Sequence, residues 1–360
     1  MKDRYFFGFT WWKRWWAIKP FFPNSRRNHF CTTLRDAKQK GLSRDDEIYI
    51  WGRRLFEEVE AYAKRYQTPL FRVEDGFIRS VSLGSDLTKA YSLVVDSRGI
   101  YFDPTQESDL EYMLNTKEFD SNILQRASKL SQYLIENKLS KYNANPDKEI
   151  QLEGVKQGER IVMVPGQVED DASIIYGADS MTNLELLKKA RHNAPDAYII
   201  YKPHPDVLAG NRKGSIALKD VLKYANTIIT DVSLDSVLEH CDEVHTMTSL
   251  VGFEALIRGK VVYTYGMPFY AGWGLTHDER KCKRRFRKRT LNELIAATLI
   301  DYPRYINPFT NEPCEVEEAI SNIELMKKRY NTDKLYKFGI DLRNSISRKA
   351  QFMIKVLFSE

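Results

Sequence analysis

A histidine held between prolines and a hydroxyl that opens a helix are the residues here best suited to chemistry on a phosphate ester. Lys202-Pro203-His204-Pro205 closes an apolar run, and Thr248-Ser249-Leu-Val-Gly-Phe-Glu254 begins a helical one. The prolines fix φ and keep His204 out of a helix, so its imidazole stays at a strand's carboxyl end, where open α/β sheets bind ligands. Ser249 and the first-turn amides after it form an anion site, because those N–H groups have no partner inside the helix and the dipole favours a phosphate. Lys202 and His204 add the positive charge that a departing phosphate needs. Glu254 suits hydrogen bonds from ribose hydroxyls or a base amine. Together the two segments describe a nucleotide-sugar pocket.

Acids stand in two further places. Glu169, Asp170 and Asp171 follow an apolar run at 160–165. Three adjacent acids repel one another and favour keeping a proton on one of them. Retaining glycosyl transfer by double displacement uses a carboxylate nucleophile and a general acid/base; the competing reading is an acidic N-cap of the helix that starts at Ala172. Glu74-Asp75-Gly76 forms a turn after another apolar run and leads to Arg79 and Ser80. Alone it reads as structural. Facing a ligand, Glu74 or Asp75 would deprotonate an acceptor hydroxyl and Arg79 would clamp a sugar carboxylate. Finally, Tyr265-Gly-Met-Pro-Phe-Tyr270-Ala-Gly-Trp273-Gly274 combines glycines with aromatics. Such glycines let backbone approach a ligand, and Tyr270 and Trp273 offer flat faces for a pyrimidine or sugar ring.

The elements that must hold these residues alternate. Strand candidates at 48–51 and 70–73 flank a helix at 54–66, which points to a parallel sheet. Residues 93–102 read as two strands around a polar turn, and 108–115 and 121–137 as helices. A polar stretch at 141–158 makes a linker. Beyond it come strands at 160–165, 197–202, 243–246 and 260–264 with helices at 181–194, 218–222 and 249–258, a Rossmann-like series. Helices at 291–299, 315–328 and 339–357 follow, the last amphipathic and basic. The expected division is an acceptor-side lobe at 1–153, a nucleotide-sugar-binding lobe at 154–310 and helices with a basic tail at 311–360.

Composition excludes several classes. A chain of 360 residues calls for about two domains of ordinary size. Hydrophobic content of 42% and charged content of 29% rule out wholesale disorder and a membrane-embedded chain. The four cysteines lack any CxxC spacing, which argues against structural zinc or a disulfide framework. The aromatic amino terminus is interrupted by cations and lacks a small-residue cleavage site, so it is neither a secretory signal nor a bilayer span. It reads either as an aromatic strand and turn packed on the first lobe or as a tryptophan and lysine segment at the headgroup zone. The net charge of +6 has its largest cluster at 280–289. Without spaced stacking aromatics this cluster is not a nucleic-acid site and reads as a solvated or membrane-facing stretch.

Two Rossmann-like lobes with a nucleotide pocket in the second describe a GT-B-type α/β fold whose active site lies in the cleft between them. Glu74-Asp-Gly-Phe-Ile-Arg-Ser80, Gly166-Gln-Val-Glu-Asp-Asp-Ala-Ser173, Lys202-Pro-His-Pro205, Thr248-Ser-Leu-Val-Gly-Phe-Glu254 and Gly266-Met-Pro-Phe-Tyr-Ala-Gly-Trp-Gly-Leu-Thr276 resemble the segments of KpsC-type capsular polysaccharide proteins, over about residues 46–310. That family's capsule members usually carry two such modules, and this chain has room for one. The resemblance implies a retaining β-Kdo transferase using CMP-β-Kdo, a monophosphate ester that needs no metal to bridge a diphosphate. It implies a lipid-linked glycan acceptor and a peripheral place on the cytoplasmic face of the inner membrane, in a capsule assembly complex. An aspartate of the acidic loop would bear the sugar. The Asp-Ala-Ser step favours Asp171, and Asp170 stays open. Gln167 joins Lys202, His204, Ser249, Glu254, Tyr270 and Trp273 on the donor side, while Glu74, Asp75 and Arg79 belong with the acceptor. The alternatives are a transferase for CMP-sialic acid and a non-catalytic capsule assembly or export protein.

Overall fold

The computed structural model describes residues 2–16, 18–80, 89–141, 149–210, 212–343 and 345, without the side chains of Trp12, Trp15 and Trp16. The basic tail expected beyond 345 and part of the linker therefore lie outside the described residues. In chain order the strands are β1 (Arg4–Phe7), β2 (Asn28–Cys31), β3 (Glu47–Trp51), β4 (Leu70–Asp75), β5 (Ser92–Asp96), β6 (Ile161–Pro165), β7 (Tyr198–Lys202), β8 (Thr227–Ile228), β9 (Glu243–Thr246), β10 (Val261–Thr264), β11 (His277–Asp278), β12 (Pro303–Ile306) and β13 (Pro313–Cys314). Only one strand lies in the region expected to hold two at 93–102; a turn follows it.

The chain divides into two compact units, Met1–Ser97 with Lys141–Ala144 and Leu299–Glu360, and Arg98–Ser140 with Asn145–Thr298. In the first, a seven-stranded sheet runs β13-β12-β5-β4-β3-β1-β2. Its β2, β1, β3 and β4 are parallel, and β5, β12 and β13 continue it antiparallel. Successive strand side chains face opposite ways, so Tyr5 and Phe7 join Ile48, Ile50, Val59 and Ala63 on one face. Phe6 points to the other face and stacks on Tyr49 at 5.1 Å, which stacks on Phe71 at 5.0 Å. The amino-terminal aromatics thus form a strand one in from the β2 edge, covered on both faces, as parallel strands usually are. Trp11, on the helix Trp11–Trp16, is instead exposed.

The second unit holds a six-stranded sheet, β11-β10-β9-β6-β7-β8, with every pairing parallel. Counted from β6, its order is 3-2-1-4-5-6 read from the β8 edge, the Rossmann arrangement, with a reversal of direction between β6 and β9. Val162, Val164, Ile199 and Tyr201 of the central strands pack on Ile174, Leu186, Leu187 and Ala190 of the following helices.

These units differ from the expected 1–153, 154–310 and 311–360. Helices Asp109–Thr116 and Ser121–Glu136 go with the second unit, and Val316–Thr332 with the first. The cause of the first shift is the basic cluster at 280–289. Arg284 and Arg285 both bond Glu111, at 2.6 and 3.0 Å, and Arg289 bonds the carbonyls of Leu114 and Lys117 at 2.6 and 2.7 Å. Arg280 pairs with Asp179 and Arg287 with Glu118. Arginines of the cluster strap the first of those helices, while Lys281, Lys283, Phe286 and Lys288 between them are exposed, so the solvated reading holds for only part of the stretch. Arg285 and Glu111 are both buried, so each neutralises a charge that would be costly alone. Among the described residues no helix is long and apolar enough to cross a membrane.

Candidate functional site

At the carboxyl end of β6 the chain must pass beside β7. Gly166 N–H donates to Lys202 O at 2.8 Å, and a Cβ on Gly166 would lie 2.6 Å from the Tyr201 hydroxyl, so only glycine fits. Next, Asn183 pins the loop: its Oδ1 accepts from Gln167 N and its Nδ2 donates to Gln167 O, both at 2.8 Å. Asn183 is held because Thr182 caps its helix in a capping box with Glu185.

The three acids of this loop diverge. Glu169 accepts from Asn183 N at 2.8 Å, and Asp170 accepts from Arg212 Nε and Nη2 at 3.2 and 3.1 Å. Asp171 caps the helix Ala172–Gly177, its Oδ1 accepting from Ser173 N at 2.9 Å and Ser173 Oγ at 2.8 Å. The expected crowding is absent, because each carboxylate has its own partner. Asp171 is exposed, and its Oδ2 makes no hydrogen bond among the described residues. A carboxylate paired with a guanidinium is a poorer nucleophile than one supported by neutral donors on a single oxygen. The N-cap reading of Asp171 and the nucleophile reading are therefore compatible: one oxygen caps, the other faces out.

Across the strand-order reversal, β9 delivers Thr246, Thr248 and Ser249. Gln167 reaches them from the β6 side. Its Oε1 accepts from Thr248 N at 3.0 Å and Thr246 Oγ1 at 3.3 Å, and its Nε2 donates to Thr248 Oγ1 at 3.0 Å. Gln167 is buried and three of its four hydrogen-bonding positions are used to join the two loops, so its main role here is to tie them together. Ser249 caps the helix Leu250–Ile257, its hydroxyl accepting from Val251 N at 3.2 Å. Glu254 lies in the second turn and is buried, which leaves a ribose or base little of it to reach.

Tyr270 and Trp273 also turn out to be scaffold. Both are completely buried, so neither offers a face for stacking. The Tyr270 hydroxyl donates to Ser249 O at 2.5 Å, and burial raises its pKa well above the usual value. Gly252 permits this, since a Cβ there would land on the Tyr270 phenol oxygen. Trp273 Nε1 donates to Phe269 O at 2.8 Å, while Asp278 closes the loop by accepting from Gly272 N at 2.8 Å. Aromatic type was legible in the sequence; exposure was not.

On β7's side, Lys202 Nζ donates to the carbonyls of Thr230 and Val232 at 3.3 and 2.9 Å. Burial lowers its pKa to about 8. His204 caps the short turn Pro205–Leu208, its Nδ1 accepting from Asp206 N at 3.1 Å, so the neutral ring carries its proton on Nε2. Asp235 is paired with Arg258 at 2.5 Å and is structural.

Glu74, Asp75 and Arg79 belong to the first unit. Arg79 is fully buried; its Nε donates to Asp75 Oδ2 at 2.8 Å and its Nη1 to Ser80 Oγ at 3.0 Å. It is an internal counter-ion and not the open clamp expected for a sugar carboxylate. Lys13 contributes from the first helix, its Nζ 3.1 Å from the centre of the Trp51 ring. Burial raises the Glu74 pKa, with Lys13 opposing more weakly. Burial would also raise Asp75, but the charges of Arg79, Lys13 and Lys141 bring it down to about 2. Of this pair, Glu74 is the carboxyl that keeps its proton longer. Lys13, Ser173 and Thr248 are the participants that sequence reasoning missed. The two hydroxyls stood inside the quoted motifs, and Lys13 among tryptophans gave no signal.

A family profile described as capsule polysaccharide biosynthesis protein matches residues 46–305. Among curated proteins, the chain is 47% identical over 320 residues to the capsule polysaccharide modification protein LipA of Neisseria meningitidis serogroup B, covering 88% of this chain and 45% of that protein. The chain thus spans about half the length of the curated relatives it first matches. Among solved structures it resembles two from Thermosulfurimonas dismutans. One is KpsC, beta Kdo 2,7 transferase, at 36% identity and TM-score 0.70, covering 91% of this chain and 100% of that one. The other is KpsC, beta Kdo 2,4 transferase, at 33% identity and TM-score 0.71, covering 82% and 91%.

Proposed function

The chain belongs to the capsule polysaccharide biosynthesis protein family, and from that premise we propose that it is a glycosyltransferase of Kdo. The donor is CMP-β-Kdo and the acceptor a lipid-linked or oligosaccharide hydroxyl. One observation carries this reading. The Asp171 loop and the Ser249 helix start flank the point where the Rossmann sheet reverses its strand order, and Gln167 joins them across it. Ligands of such sheets bind there, outside the carboxyl ends of the strands.

In the proposed reaction the Oδ2 of Asp171 attacks the anomeric carbon of Kdo. The bond from that carbon to the CMP phosphate oxygen breaks, and CMP leaves with the electron pair. The Nε2–H of His204, the ammonium of Lys202 and the Leu250 amide that opens the helix after Ser249 are the groups suited to the phosphate, since Val251 N and Gly252 N already donate to Ser249. An acceptor hydroxyl then displaces the Asp171 carboxylate and surrenders its proton to a base. Two inversions at one carbon give net retention. A monophosphate leaving group needs no divalent metal in this scheme.

The test is to incubate the full chain with CMP-Kdo, follow CMP release, and search tryptic peptides for a Kdo ester. An adduct on the peptide carrying Asp171 is expected. Turnover of CMP-sialic acid in preference to CMP-Kdo would replace the donor, and no CMP release from either would favour an assembly or export role. Peripheral membrane contact is proposed as well. Trp11, Leu335, Phe338 and Leu342 are exposed, the last three at helical spacing among Lys334, Lys337 and Arg343. Flotation with vesicles containing anionic lipid should carry the chain, and Leu335→Glu combined with Phe338→Glu should reduce that fraction severalfold.

A further inference from the structure

We propose that Thr248 and Ser173 are positioning residues that aim the Asp171 carboxylate through a one-way chain of hydrogen bonds anchored at Gln167. The inference rests on Asp171 as nucleophile and adds what orients it.

The direction of the chain follows from its ends. Thr248 N–H can only donate, so the Gln167 oxygen must face it, as it does at 3.0 Å. That places the Gln167 Nε2 toward Thr248 Oγ1, to which it donates at 3.0 Å. Thr248 Oγ1 then donates to Ser173 Oγ at 3.3 Å, and Ser173 Oγ to Asp171 Oδ1 at 2.8 Å. At the far end a carboxylate accepts. Each hydroxyl accepts once and donates once, so neither can turn without leaving a donor or acceptor unmatched, and the links polarise one another. The same amide is tied to the helix start used for the phosphate, because Ser249 N donates to Thr246 Oγ1 and Thr246 Oγ1 to Gln167 Oε1, both at 3.3 Å. The chain therefore fixes the carboxylate relative to the leaving-group site, leaving Oδ2 for the anomeric carbon. Helix capping alone does not need the hydroxyls, since Ser173 N–H already donates to Oδ1.

The experiment measures kcat and KM for CMP-Kdo in the full chain for Thr248→Val, Thr248→Ser, Ser173→Ala and Asp171→Asn, with thermal midpoints for each. Misdirecting a reacting group by a fraction of an ångström costs on the order of tenfold or more in rate. Thr248→Val and Ser173→Ala should accordingly lower kcat about tenfold or more with KM within about twofold. Thr248→Ser, which keeps the hydroxyl, should stay within about threefold of the parent. A parental kcat in both Thr248→Val and Ser173→Ala, while Asp171→Asn is inactive, overturns the relay and leaves the nucleophile standing. Activity in Asp171→Asn removes both. A crystal structure of Thr248→Val decides without any donor: the Asp171 carboxylate should rotate, and an unchanged rotamer still bonded to Ser173 Oγ overturns the proposal.

Discussion

Asp75 in the first unit and Asp171 in the second both stand at or just beyond the carboxyl end of a parallel strand, in opposite surroundings. Asp75 sits against a buried guanidinium, with Lys13 and Lys141 adding charge. Asp171 is exposed and touched by one backbone amide and one hydroxyl. Cations make a carboxylate safe to bury and dull as a nucleophile; neutral donors on one oxygen orient it and leave the other reactive. In the proposed reaction this difference leaves Asp75 a structural role and gives Asp171 the chemical one.

The comparison is broken most directly at Asp171. Asp171→Asn should reduce transfer by about a thousandfold or more, the scale of losing a nucleophile, with the thermal midpoint nearly unchanged. Asp170→Asn, whose partner is an exposed arginine, should cost under about tenfold. The reverse pattern would make Asp170 the sugar-bearing residue. In the first unit the expected loss is stability. Arg79→Met strands Asp75 inside and should destabilise by roughly 3–5 kcal/mol in denaturant melts. The sign with pH follows from the depressed Asp75 pKa. Its contribution is full above the unfolded carboxylate value near 4 and is lost as pH falls toward about 2. Parental chain should therefore lose stability between those values more steeply than Arg79→Met.

Much of this was legible before the fold was known, for a physical reason. Strands β6 and β7 are buried on both faces and so read as apolar runs, and prolines and glycines mark where they stop. The strand ends that carry Asp171, His204 and Ser249 came from that punctuation. Strands β12 and β13 did not, because Pro303, Arg304 and Pro313 read as loop, and β12, on which β13 pairs, finds its other partner β5 only far back along the chain, Pro303 opposite Val94. The boundary at Arg98 was hidden for the same reason: Glu111 finds Arg284 and Arg285 far along the chain. Residue type also overstated function. Gln167, Arg79, Tyr270 and Trp273 were chosen for what their side chains can bind, and the fold uses each on its own backbone and side chains.

Smaller effects sharpen the second half of the comparison, that the donor end is held by neutral contacts. Gly252→Ala drives a methyl into the Tyr270 phenol and should cost about 1–3 kcal/mol, with a raised KM for donor as the Ser249 turn shifts. Tyr270→Phe, which removes the hydroxyl bonded to Ser249 O and to Thr246 without any clash, should cost nearer 1 kcal/mol.

The smallest change tests the Lys202 ammonium at that end. Lys202 loses its proton near pH 8, because burial disfavours the ammonium that its two carbonyl partners hold. If that ammonium serves the phosphate, donor KM should be flat below pH 8 and rise severalfold by pH 9, while an arginine, charged throughout, should keep KM flat in Lys202→Arg. Stability must move the other way. The unfolded lysine binds its proton more tightly than the folded one, so this residue destabilises the fold below pH 8 and relaxes that penalty as pH climbs toward the unfolded value. A donor KM that rises together with falling stability would point to the loop at 230–232 coming loose, and a KM that rises while stability holds or improves would tie the charge to the phosphate.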